Sequence, residues 1–147
     1  MLNRIILFNK TFIIVLCALI SLSAYANGER IEERFTVKPG GELVLTSTQG
    51  SIRVETWNKN EVFVEVIKSA KSEELLKDFV VSIEQKGNKI LVDGESGWRS
   101  RVSAKYRINI PKKFSVNLKT GGGSIKVGDE LQGKVVAHTS GGSIKVG

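Results

Sequence analysis

"GGSIKVG", residues 122–128, returns letter for letter as residues 141–147, the last seven of the chain. The likeness extends upstream: "LKTGGGSIKVG" and "AHTSGGSIKVG" share a frame, and the earlier "LTSTQGSIRVE" fits it as well. Leu45, Leu118 and Ala137 fall in one column, Ile52, Ile125 and Ile144 in a second, and Val54, Val127 and Val146 in a third. Ser51, Ser124 and Ser143 align before the isoleucines. One unit is thus a strand, a glycine-rich corner, a second strand and a turn. A strand pair with one apolar face cannot bury that face alone. Stacked copies pair backbone to backbone and bring equal apolar residues into a continuous column. The pattern predicts Ile and Val facing in, and Ser with the basic Arg53, Lys126 and Lys145 facing out. Glycine serves corners where φ is positive or two backbones come close.

Outside the repeat, apolar residues recur at every second position in "ELVLTS", "EVFVEVIK", "VVSIEQK", "KILVDG", "RVSAKYRINI" and "FSVNLK". Period two over short runs bounded by Gly, Asn and Pro is the strand signature. Gly87 and Asn88 between two such runs predict a tight hairpin. "SEELLKDF" breaks the alternation; Ser72 is a candidate N-cap and Glu73 and Glu74 suit a first turn, so one short helix is expected. The expected fold class is all-β, a β-solenoid or β-helix-like stack of short strands with one short helix. The alternative is a β-sandwich in which the glycine clusters are hairpin turns. In the stacked reading Ile125 and Ile144 are buried neighbours, and Lys126 and Lys145 are exposed side by side.

The N-terminus reads differently. Arg4 and Lys10 precede or flank the apolar run "FIIVLCALI", and Ala24 and Ala26 supply the small-x-small pattern of a cleavage site. This is a secretory signal peptide over residues 1–26, with the mature chain starting at Asn27. The run is well short of the roughly 20 residues of a spanning helix. Cleavage leaves residues 27–147 as a single domain and takes Arg4 and Lys10 from the formal charge of +7, leaving +5. The only cysteine, Cys17, leaves too, so the mature domain has no disulfide. The expected location is exported: periplasm, cell surface or secreted, with no transmembrane helix after cleavage.

Together, "FTVKPGGELVLTSTQGSIRVETWNKNEVFVEV", "YRINIPKKFSVNLKTGGGSIKV" and "GKVVAHTSGGSIKVG" resemble the putative adhesin family, a bacterial envelope domain of β-strand repeats whose function is largely unknown. The likeness covers nearly all of the mature chain from about Phe35. It implies a right-handed, β-helix-like, all-β fold, an exported protein and no known catalysis. The family continues with further repeats, so the resemblance also implies that the domain is truncated at its C-terminal end. A stack that stops on a bare repeat leaves unpaired backbone groups along its edge, and self-association through that edge is expected.

Catalytic, cofactor and metal sites are not expected. His138 is the only histidine and shares an outward column with Lys119 and Thr46. A zinc site lacks its usual ligands. The acids of Asp93 to Glu95 and of Asp129 and Glu130 are the only candidates for calcium, and they read as solvated loop acids. "GGGSIKVG" lacks the Gly-Lys-Ser/Thr order of a phosphate loop and a following helix. Charge is more informative. No acid lies between Glu95 and Asp129, an interval that holds Arg99, Arg101, Lys105, Arg107, Lys112, Lys113, Lys119 and Lys126. These eight are the candidate surface for an anionic envelope glycan or lipid. Period two places Arg99, Arg101, Lys105 and Arg107 on one strand face opposite Val102, Ala104, Tyr106, Ile108 and Ile110, with or without a slip near Val102. A nucleic-acid partner does not fit an exported chain. Trp57 and Trp98 are read as turn residues, either capping the core or stacking on a sugar. The expected function is a non-enzymatic adhesin-like interaction or scaffold module. The alternative is an enzyme acting on a polysaccharide with a carboxylate pair.

Overall fold

The computed structural model describes residues 23–25 and 28–147. Its strands are β1 (Ser23–Tyr25), β2 (Gly28–Thr36), β3 (Gly41–Ser47), β4 (Ser51–Trp57) and β5 (Glu61–Ser69), then β6 (Phe79–Lys86), β7 (Lys89–Ser96), β8 (Ser103–Pro111) and β9 (Phe114–Thr120). The last three are β10 (Ile125–Val127), β11 (Val135–Thr139) and β12 (Ile144–Val146). The helix α1 (Glu73–Leu76) is a single turn, and the Ser72 hydroxyl accepts from the Leu75 N–H as an N-cap. Most of the signal-peptide reading falls on residues 1–22 and 26–27, outside the described residues. Ser23–Tyr25, on the peptide side of the expected cleavage, pair antiparallel with β2.

The chain is all-β. Two mixed sheets, ordered β1-β2-β5-β8-β4-β10-β12 and β11-β9-β3-β7-β6, share one apolar core and do not close into a barrel. The repeat columns of the sequence are the register of the sheets. Ile52 pairs with Ile125 and Ile125 with Ile144; Leu45 pairs with Leu118 and Leu118 with Ala137. All these pairings are parallel. β7 and β8 extend the parallel part on the other side of β3 and β4. Spatial order thus departs from chain order. Between the first two repeat units the chain leaves to build β5, α1, β6, β7 and β8, and then returns beside β3 and β4. The hairpin of β6 and β7 turns at Gly87 and Asn88, as expected, with Gly87 at φ 59°.

The corners explain the glycines. Gly50, Gly123 and Gly142 have φ of 124°, 120° and 141°, a region L side chains rarely adopt. They also stack. The Gly50 N–H donates to the Gly122 carbonyl and the Gly123 N–H to the Gly141 carbonyl, both at 2.7 Å. The Thr120 hydroxyl donates to the Gly50 carbonyl and the Thr139 hydroxyl to the Gly123 carbonyl, so each corner is tied to the one beneath it.

Ile125 is buried, but Ile144 is 45% exposed, contrary to the expectation for that column. The cause is position: β12 is an outermost strand and, among the described residues, has a neighbour on one side only. Val146 and, on the outer face of the other sheet, Val136 are also exposed. "RVSAKYRINI" needs no slip: Val102, Ala104, Tyr106, Ile108 and Ile110 are all buried.

Several polar groups are buried, among them Lys68 and the Tyr106–Ser47 hydroxyl pair. Lys68, 5% exposed, donates to the Leu76 and Phe79 carbonyls and pairs with the Glu29 carboxylate at 2.7 Å. It thereby serves the C-terminal end of α1. The Tyr106 hydroxyl shares a 2.8 Å hydrogen bond with the Ser47 hydroxyl, and Gly94 leaves room for it where any side chain would collide. Burial pushes the Tyr106 phenol up to about 12; the Ser47 bond opposes this and the Asp93 charge adds to it. A raised phenol pKa stabilises the fold fully below the unfolded value near 10, and that contribution is lost as pH rises towards 12. Alkaline denaturation should therefore show stability falling between about pH 10 and 12. The Tyr106→Phe variant should lose that part of the slope.

Candidate basic face

The outer face of the seven-stranded sheet is set by alternation. Where Ile52, Val54, Tyr106, Ile108, Ile125 and Val127 point into the core, the residues between them point away. Register then lines these up across strands. Arg107 on β8 pairs with Arg53 on β4, Arg53 with Lys126 on β10, and Lys126 with Lys145 on β12. Four cations stand in one row. On its other side Arg107 faces Glu65 on β5, which faces Glu32 on β2. Glu65 is nearly buried between Arg30 at 3.7 Å and Arg107 at 3.6 Å. Arg53 is paired within its own strand to Glu55 at 2.8 Å. Lys126 and Lys145 form no ion pair among the described residues. Like charges directly opposite one another on a sheet are unfavourable, so the free end of the row is an electrostatic cost carried by the fold.

A groove of about 420 Å³ lies over the paired end of this row. Its walls include Arg53, Arg107, Glu55, Glu65, Phe63 and Asn109. Phe63 is held by the Arg34 guanidinium 4.3 Å from its ring centre and by Trp57. Groove and row together combine an aromatic ring, an amide, two carboxylates and a line of cations.

The eight expected basic residues do not form one patch. Lys105, Arg107 and Lys126 lie on this face. Lys119 points from β9 on the outer face of the other sheet, in register with Thr46 and with His138, which is exposed as expected. Lys112 and Lys113 lie where β8 turns into β9. Lys112 is bonded to Glu130 at 2.7 Å, which holds the Glu130 carboxyl below its usual range. Arg99 and Arg101 precede β8 rather than sharing its face; Arg99 sits in a turn at φ 63°. Sequence separation had grouped charges that the corner between β7 and β8 and the crossing from β8 to β9 pull apart.

Arg53 and Lys145 were legible as outward residues of the repeat but lay outside the acid-free interval. Nothing local marked Glu65, Phe63 and Asn109, because their neighbours come from non-consecutive strands. The tryptophans separate: Trp57 is half-buried and its indole N–H donates to the Glu61 carbonyl at 2.7 Å, whereas Trp98 is 90% exposed beside Arg99 and caps no core. Asp93 and Glu95 belong to β7 rather than to a loop.

No family model matches the chain, and no curated protein matches it. Solved structures do. A putative cell adhesion protein from Clostridium sporogenes aligns at TM-score 0.55 with 19% identity, over 78% of this chain and 59% of that one. Putative adhesins from Bacteroides fragilis and Parabacteroides merdae align at TM-scores of 0.44 and 0.39, each at 15% identity. They cover 80% and 72% of this chain, and 55% and 43% of their own. The chain thus has the fold of the Clostridium protein and spans little more than half of its length.

Proposed function

We propose that the chain is a non-enzymatic, adhesin-like module of the bacterial envelope, exported to the periplasm, cell surface or medium, which attaches to an anionic glycan or lipid surface. The in-register row of Arg107, Arg53, Lys126 and Lys145 carries this reading. The parallel part of the two sheets is read as a right-handed, solenoid-like stack, supported by four parallel strands in each sheet joined in pairs. Among the described residues no helix is long and apolar enough to cross a membrane.

Attachment should be weak and sensitive to salt, because screening shortens to about 8 Å near physiological ionic strength. The Arg53→Glu, Lys126→Glu and Lys145→Glu triple variant should abolish sedimentation with anionic vesicles or acidic glycans at low salt. The exposed Lys71 and Lys77, reversed together, are the control; Lys68 cannot serve, since its burial would convert a charge reversal into unfolding. Binding that survives both salt and the triple reversal, or is absent at low salt, refutes the reading.

The second reading, a polysaccharide-acting enzyme, draws on Glu55 and Glu65 in one groove. Both are held by arginines. Glu33, whose carboxyl burial pushes up, alternates to the core side of β2 opposite Val64 and so away from the groove. Release of new reducing ends from an acidic glycan would favour this reading.

The outermost β12, with Ile144 and Val146 exposed, is the surface on which a second copy would pair. Sedimentation equilibrium of residues 27–147 should show association that increases with concentration, and a stable monomer at high concentration would exclude it.

A further inference from the structure

The row and the groove specify more than negative charge. We propose that they form one site for a linear acidic polysaccharide carrying a carboxylate on its sugar units, lying across the strands rather than along them. This deepens the attachment reading and rests on it. Neighbouring strands lie about 4.8 Å apart, so the row offers a cation at each such step from β8 to β12. That spacing is close to the advance of a linear polysaccharide per sugar ring. A polymer crossing the strands therefore meets one cation per unit, whereas one following a strand meets Arg53 and then Glu55 on the same face.

The groove selects for sugar over lipid. Phe63 offers apolar ring surface on the groove wall, the Asn109 amide can donate to or accept from sugar hydroxyls, and the Glu55 and Glu65 carboxylates can accept from them. These groups serve a sugar ring and add nothing for a bare phosphate headgroup. The arginines have carboxylate partners already in place, so an incoming carboxylate shares them; Lys126 and Lys145 have none among the described residues and would take the next units directly. The repeat writes a basic residue once per unit at the same position, Arg53, Lys126 and Lys145, which makes this part of the row a property of the stack and not of one loop.

Binding to such a row must depend on length, because each further unit engages another cation without a new association step. The test uses residues 27–147 with oligogalacturonides from monomer to hexamer, neutral dextran oligomers of matched length, and anionic phospholipid vesicles. Calorimetry should show affinity rising by about 10²-fold from dimer to hexamer, with dextran not binding. The Lys126→Glu, Lys145→Glu double variant should lose most of that gain while dimer binding at the groove persists. The Phe63→Ala variant should weaken short and long oligomers by a common factor. Both variants must keep the wild-type circular dichroism spectrum; the lysines are exposed, so the double variant remains decisive if Phe63→Ala fails to fold. Affinity per binding unit that is independent of length, or undiminished in the double variant, overturns the inference. If vesicles bind and oligogalacturonides do not, it is overturned while anionic attachment stands. If nothing binds at low salt, both fall.

Discussion

Replacing Gly123 with alanine is expected to destabilise the domain by roughly 3 kcal/mol or more, the upper end of the cost of a strained backbone position with a steric collision added. The residue has φ 120°, where a side chain is strained whatever the space around it. There is also no space: a Cβ would stand 2.6 Å from the Gly50 carbonyl oxygen, and that atom is backbone and cannot rotate away. Relief requires the corners of adjacent units to separate, which would break the Gly50–Gly122 and Thr120–Gly50 hydrogen bonds. Gly122, the preceding residue in the same corner, has open space and an ordinary φ. Gly122→Ala should therefore be nearly neutral. Urea denaturation of the two variants checks the contrast, and comparable losses would disprove the stacked-corner account.

Replacing Ile125 with alanine is expected to cost about 2–4 kcal/mol, a transfer term plus a cavity term. Ile125 is 1% exposed and sits in the middle of the Ile52, Ile125, Ile144 column, so both flanking units hold the cavity open. Lys126→Ala, one residue along, should be near neutral, since the side chain is exposed and its loss relieves like-charge crowding between Arg53 and Lys145. Ile144→Ala should cost clearly less than Ile125→Ala, because half of that side chain is already in water. The order Ile125, Ile144, Lys126 in thermal or chemical denaturation tests the alternation and the edge together. Equal losses at Ile125 and Lys126 would remove the basis for the outward row.

Alternation and repetition by themselves determined the all-β class, the inward and outward sets of each strand, the hairpin at Gly87 and the register of three units. The reason is local: side-chain direction along a strand has period two, and a slip by one residue would send Ile52, Ile125 and Ile144 to water and their basic neighbours to the core. Identical units have one register that satisfies both faces. The acid-free interval, by contrast, promised a single basic patch and the tertiary structure divided it. Chain neighbours such as Arg101, Lys112 and Lys119 are carried to different corners and sheets, while Arg107 and Arg53, far apart in sequence, become adjacent. Only the fold decided that Lys68 is a core residue, since its period-two position was occupied by a charge whose partners, Glu29 and the end of α1, come from elsewhere. The same holds for the groove. It depends on β8 entering between β4 and β5, a pairing of non-consecutive strands, and strand order is governed by which apolar faces and backbone edges are satisfied together across the whole molecule.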